Sequence, residues 1–161
     1  MDPKNRSVQI EMENVCTKHL KAIGACLPPV FEGIDLTIGT FPVEASVIIP
    51  VKNRSKTILD AIKSVLSQKT NYSFNLIVID NHSTDGTTEI IASFAKKDSR
   101  IIHLIPERDD LGIGGCWNEG VQHHSCGRFS VQLDSDDVYS SDDSLEHIVK
   151  EFYAQNCAML V

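Results

Sequence analysis

Apolar runs and polar breaks alternate along most of this chain. Val47-Ile48-Ile49, ended by Pro50, is short and continuously apolar, the pattern of a strand covered on both faces. Thr57-x-x-Asp60 then opens a helix as a capping pair, with Ile58, Leu59, Ile62, Val65 and Leu66 as its apolar face. Phe74 to Ile79 is a second buried-strand run. It stops at Asp80-Asn81-His82-Ser83-Thr84-Asp85-Gly86, and Ile90, Ile91, Phe94 and Ala95 line the helix that follows. A third strand, Ile101 to Ile105, breaks at Pro106. A Gly-rich bend, Leu111 to Gly115, leads into a short helix around Trp117 to Gln122. Phe129 to Leu133 alternates, with Phe129, Val131 and Leu133 on one face, as in a strand half-covered by core. Asp143-x-x-Glu146 caps a helix to about Tyr153, whose Leu145, Ile148, Val149 and Phe152 face inward. Ala158 to Val161 reads as the start of a fifth strand, so the domain is expected to be incomplete at its C-terminus.

Residues 1–42 read as an N-terminal helical appendage and linker, and the main domain is expected over 43–161. Val8, Met12, Val15, Cys16, Leu20 and Ile23 fall at helical spacing, with Gly24 as the stop. Pro28-Pro29 and the residues up to Pro42 form an irregular connector. No chemistry is assigned to this segment.

Strands alternating with helices through short links imply a mostly parallel open sheet with helices on both faces. In such a sheet every strand C-terminus lies on one edge, where open α/β folds bind ligands. Here that edge collects Lys52-Asn53-Arg54, Asp80-Asn81, Glu107-Arg108-Asp109 and Asp134 to Asp137. Four polar clusters on one edge are hard to explain as solvated loops.

Composition narrows the partners. A formal charge of −7 over 161 residues argues against holding nucleic acid by general electrostatics. The five scattered cysteines, never spaced C-x-x-C, fit reduced thiols in a cytoplasmic protein. No apolar run approaches the ~20 residues of a membrane span, which leaves peripheral association with a membrane face open.

The last cluster demands most explanation. Asp134-Ser135-Asp136-Asp137 puts three carboxylates into four positions. Two such charges about 4 Å apart repel by roughly 4 kcal/mol at an effective dielectric near 20. Hard oxygen donors of this kind suit Mg²⁺ or Mn²⁺; alternatively the carboxylates point into water and cap the next helix. The first strand is not followed by G-x-G-x-x-G, and no G-x-x-x-x-G-K-[ST] occurs, so dinucleotide and P-loop sites are disfavoured. An EF-hand loop starting at Asp134 would want Gly where Tyr139 stands.

Three segments in order, Val47 to Arg54, Val78 to Thr87 and Leu133 to Asp137, make the chain resemble glycosyltransferase family 2, of the GT-A fold, from about Ala45 to Val161. The resemblance implies metal-dependent, inverting transfer of a sugar from a nucleoside-diphosphate sugar, with a UDP-sugar as the expected donor, to an acceptor hydroxyl. Polysaccharide biosynthesis of the hexosyltransferase type is the implied setting. It places Pro50, Val51 and Asn53 beside the base, Asp80 and Asn81 against base and ribose, and Arg108 at base or phosphate. Asp136 would face ribose and diphosphate, and Asp137 with Asp136 would hold Mn²⁺ or Mg²⁺ in the family's DXD motif. The catalytic base is expected beyond Val161, so the chain corresponds to the donor-binding half and is not expected to transfer sugar itself. Two departures stand out: Asn81 where the family usually has aspartate, and Trp117 where it often has arginine before Asn118.

Other readings remain for several of these residues. Asp85 can simply cap its helix, Asn53 can form a turn with its own backbone, and Arg108 can be a rim charge. His82, His123 and His124 suit the surface, and Trp117 suits packing under the sheet edge. A sugar-nucleotide pyrophosphorylase would want a Gly-rich basic loop where Pro50-Val51-Lys52-Asn53 stands. A non-catalytic nucleotide-sugar-binding module is the competitor from another class.

Overall fold

The computed structural model describes residues 5–27 and 33–160. The chain forms two compact units, Met1–Gly33 and Ile34–Val161. The first contains α1 (Arg6–Ala22), none of whose residues is buried. Gly24, at φ +70°, ends it: Gly24 N–H donates to Lys21 O and Ala25 N–H to Leu20 O, closing the last carbonyls. The Pro28-Pro29 part of the expected connector lies outside the described residues.

The larger unit is a four-stranded, all-parallel sheet in the order β3-β2-β1-β4. Its strands are β1 (Ala45–Val51), β2 (Phe74–Asp80), β3 (Ile101–Leu104) and β4 (Phe129–Gln132). All seven residues of β1 are buried, whereas β4 alternates buried and exposed, as their sequence patterns predict. On one face Val47, Ile49, Val51, Leu76 and Val78 form a core with α2 (Ile58–Leu66), α3 (Thr87–Ala95) and α5 (Ser144–Gln155). On the other, Ile48, Ile77 and Ile79 meet Cys116 of α4 (Gly112–Gln122). Trp117 packs against this second cluster, under the sheet rather than out over its edge.

Four expectations need correction. The helix read as starting near Trp117 begins at Gly112, which still makes a turn in the left-handed region at φ +60°, so Gly114 and Gly115 are helical. Glycine's poor helix propensity, ~1 kcal/mol against alanine, is overridden by packing. A Cβ on Gly120 would lie 2.6 Å from Ile48 Cγ2 and 2.9 Å from Ile79 Cδ1, so only glycine lets α4 sit this close. Residues 158–160 form no strand, and Val161 lies outside the described residues. Thr57 makes no side-chain cap, because the chain is already winding: the N–H groups of Thr57 and Ile58 both donate to Arg54 O. Nor does Asp143 cap α5; its carboxylate takes the Ser141 hydroxyl and His147 instead.

Glu146, the other half of that expected pair, clamps α5 to the loop before β2. It accepts from Thr70 Oγ1 at 2.7 Å and from Asn71 N at 2.9 Å. These donors, with Lys150, hold its pKa down to about 2. The boundary between units falls at 33/34, earlier than the 42/43 read from the sequence. Arg128 ties the intervening stretch down, donating from Nη1 to Leu36 O (2.5 Å) and Ile38 O (3.1 Å). Among the described residues no helix is long and apolar enough to cross a membrane.

Gly120→Ala is expected to lower the free energy of unfolding by about 1–3 kcal/mol, outweighing alanine's helix preference. Urea denaturation at neutral pH checks this. Unchanged or raised stability would mean that Ile48 and Ile79 yield without cost.

Candidate functional site

The strand order places β4 on the side of β1 opposite β2, so the chain reverses its direction of travel across the sheet at β1. At the C-terminal edge by this switch point lies a cleft of about 280 Å³. Pro50, Val51, Lys52 and Arg54 from the end of β1, Asn81 from β2, Ser135 after β4, and Gly112, Ile113 and Cys116 of α4 line it. An adjoining hollow of about 410 Å³ brings Asn53 and Asp136 together with Arg54, Lys56 and Asp85. Arg54 borders both, and its Nε lies 3.9 Å from Asp136 Oδ2.

The loops after β1 and β2 are laced together. Asn81 N–H donates to Val51 O at 2.8 Å, continuing the strand pairing by one residue. Asn53, in the left-handed region at φ +54°, donates through its N–H to Ser83 Oγ, and its Oδ1 accepts from Thr84 N–H at 2.8 Å. Asn53 thus bonds across to the other loop rather than to its own backbone. Arg54 N–H donates to Thr87 Oγ1 and Ser55 N–H to Asp85 Oδ2. Asp85 also accepts from Thr87 N–H, so it both starts α3 and holds the neighbouring loop.

Asp80 shapes the second loop from beneath. Its carboxylate is fully buried and accepts from Ser83 N–H at 2.9 Å and Thr88 Oγ1 at 2.5 Å. His103 Nε2 stands 3.6 Å away, an electrostatic neighbour rather than a hydrogen-bond partner. Burial pushes this carboxyl up, but His103, Ser83 and Thr88 together outweigh it and hold the pKa well below the usual carboxylate range. Asp80 does not line the cleft.

Asn81 does, and it is 93% buried with no hydrogen-bond partner for Oδ1. A buried amide oxygen without a donor costs about 1–3 kcal/mol, so it is a place where a ligand N–H is favoured. Cys116 sits in the same wall as a neutral thiol, because burial pushes its pKa up. Arg108, by contrast, lies on an exposed loop and is held by both oxygens of Asp110 at 2.9 Å, as a rim charge. Of the histidines, His82 reaches Arg108 O at 3.3 Å, and His123 and His124 stack on each other.

Asp134, Asp136 and Asp137 are all exposed around the turn after β4, where Asp137 N–H donates to Asp134 O. Among the described residues no three His, Cys, Asp or Glu side chains gather as a ready metal cage. The donor set nevertheless fits Mg²⁺ or Mn²⁺. Small hard cations are commonly held by one or two carboxylates, with phosphate oxygens and water completing the shell. Asp136 and Asp137 are the residues that would hold such an ion.

The structure therefore groups Pro50, Val51 and Asn81 in one cleft and Asn53 and Asp136 in the hollow beside it. Asp80 lies behind the cleft wall, with Arg108 and Asp137 outside both linings. Sequence reasoning passed over Lys52, Arg54 and Ser135, although each sits in a polar cluster after a strand. It also missed Ile113 and Cys116, for which the sequence holds no signal once their segment reads as a bend.

The sequence model described as "Glycosyl transferase family 2" matches residues 46–161. An uncharacterised glycosyltransferase of Rickettsia conorii is 40% identical over 97 residues, 60% of this chain and 15% of that protein. A GalNAc(5)-diNAcBac-PP-undecaprenol beta-1,3-glucosyltransferase of Campylobacter jejuni is 35% identical over 92 residues, 57% of this chain and 29% of its own length. The chain thus spans well under half of these relatives. Among solved structures, S. aureus TarS 1-349 in complex with UDP-GlcNAc superposes with a TM-score of 0.59 at 25% identity, covering 69% of this chain and 31% of that one.

Asp80→Asn is expected to cost about 1–3 kcal/mol of stability at pH 7, since an amide cannot accept from all the donors around it. A depressed folded pKa stabilises above the unfolded value and ceases to do so as pH falls through the folded one. The difference between native chain and variant should therefore shrink below about pH 4. Denaturant titrations at pH 7 and pH 3 check this; a gap that widened in acid would contradict it.

Proposed function

The chain belongs to glycosyl transferase family 2, and on that premise we propose that it binds the donor for metal-dependent, inverting transfer from a UDP-sugar to an acceptor hydroxyl. The observation that carries this reading is the cleft at the switch point of the sheet, with buried Asn81 unpartnered in its wall and the acidic turn after β4 close by. Pro50, Val51 and Ile113 offer apolar surface to a base, and Asn81 offers the polar contact. The hollow beside it, with Arg54, Lys56 and Asp136, suits ribose and diphosphate.

Asp136 and Asp137 would hold Mn²⁺ or Mg²⁺ against the diphosphate. The ion, when bound, acts as a Lewis acid that neutralises the charge developing on the leaving nucleoside diphosphate. Lys52 and Arg54 add positive charge to the cleft. The acceptor hydroxyl attacks the anomeric carbon from the face away from the leaving group as a carboxylate base takes its proton. No residue of the cleft is assigned that role. The transferred group is a hexose-type sugar, and the free cysteines suit work in the cytoplasm, at the membrane face or in solution.

Titration calorimetry with UDP tests the reading. Binding is expected in Mn²⁺, with marked weakening in EDTA and in Asp137→Ala, because carboxylates and diphosphate repel without a cation between them. Equal affinity with and without the ion would sink the metal bridge, and no binding under either condition would sink the donor site.

A further inference from the structure

We propose that Asn81 reads the ring-nitrogen edge of the nucleobase and, being an amide, admits cytosine as well as uracil, so that the donor site takes CDP as well as UDP. This rests on the nucleotide site proposed above and adds the class of base it accepts.

Asn81 is 7% exposed, makes no side-chain hydrogen bond among the described residues, and lines the cleft. Its backbone is not free to turn away: Asn81 N–H is fixed on Val51 O, and the next N–H, of His82, donates back to Asp80 O. His82 then takes the left-handed conformation at φ +57°, which fixes the sharp turn. The side chain is thus held in the wall with an unused acceptor. Val51, Ile113 and Cys116 give the same cleft apolar surface, and Asn81 is its one buried amide, beside the charged and hydroxyl groups of Lys52, Arg54 and Ser135.

The chemistry of the edge decides the rest. Ring N3 of uracil carries a hydrogen and donates, whereas N3 of cytosine carries a lone pair and accepts. A carboxylate facing that atom can only accept, so it matches uracil and repels cytosine. An amide turned half a revolution about its last torsion presents either an acceptor oxygen or an NH₂ donor at the same place. A carboxylate in this place would separate the two bases by about tenfold or more, since one buried polar mismatch is at stake. The amide removes that separation.

UDP and CDP affinities, measured by calorimetry in Mn²⁺, test this on the native chain, Asn81→Asp and Asn81→Ala, with thermal melts confirming that each variant folds. The native chain should bind both within a few-fold. Asn81→Asp should raise the preference for UDP by about tenfold or more. Asn81→Ala should weaken both about equally and serves as the second test if the buried carboxylate of Asn81→Asp prevents folding. A native preference for UDP above about tenfold, an unchanged ratio in Asn81→Asp, or full UDP affinity in Asn81→Ala would each overturn the assignment while leaving the nucleotide site standing. Failure of the native chain to bind either nucleotide would overturn the site and this inference together.

Discussion

The fold hangs on the burial of β1 between two parallel partners. Every residue from Ala45 to Val51 is enclosed, and its backbone is paired by β2 along the whole strand and by β4 along Ala45–Ile48. At the N-terminal end of the sheet, polar side chains complete that pairing. Ser46 Oγ donates to Asn75 Oδ1 at 2.5 Å and accepts from Gly127 N–H at 2.7 Å, while Asn75 Nδ2 donates to Ser125 O. This network joins β1 and β2 to the segment leading into β4.

The opposite end differs. Asn81 Oδ1 is buried without a hydrogen-bond partner where β2 gives way to its loop. Buried polar groups are nearly always satisfied, so an exception in the wall of a cleft marks a place suited to a ligand's polar group. The loops that carry the cleft share this end because all four strands run the same way. Interloop bonds from Asn53, Arg54, Ser55 and Asn81 hold the open edge in shape before a ligand arrives. Such pre-ordering reduces what binding must spend on fixing the loops.

Charge at this edge is divided between loops that the sequence keeps far apart. Lys52, Arg54 and Lys56 come from the loop after β1, and Asp134, Asp136 and Asp137 from the turn after β4. The nearest approach between the two sets among the described ion pairs is Arg54 to Asp136 at 3.9 Å, both well exposed, a contact of small energetic worth. The acidic turn is therefore not neutralised by the protein's own cations.

Periodicity and strand-end chemistry in the sequence determined the four strands, the helices on both faces and the edge bearing the polar clusters, because burial on two faces forces continuous apolar runs and parallel strands share one end. The resemblance to glycosyltransferase family 2, rather than periodicity, singled out Pro50, Val51 and Asn81, which line the cleft. What periodicity could not supply was anything set by contacts distant in the chain. Thr57 and Asp143 look like caps, yet the turns entering their helices are built by other groups. The glycines before Trp117 look like a bend, yet only Gly112 takes the left-handed conformation and Gly114 and Gly115 are helical, while Gly120 lets α4 press onto Ile48 and Ile79. Asp80 and Asn81 are adjacent and both polar, and only the alternation of a strand end inside its tertiary surroundings sends one carboxylate inward to Ser83 and Thr88 and leaves the amide in the cleft wall. Local pattern depends on which side of an element a residue faces, and the sequence carries that directly. A site depends on which elements become neighbours, and only the packing of β3-β2-β1-β4 decided that.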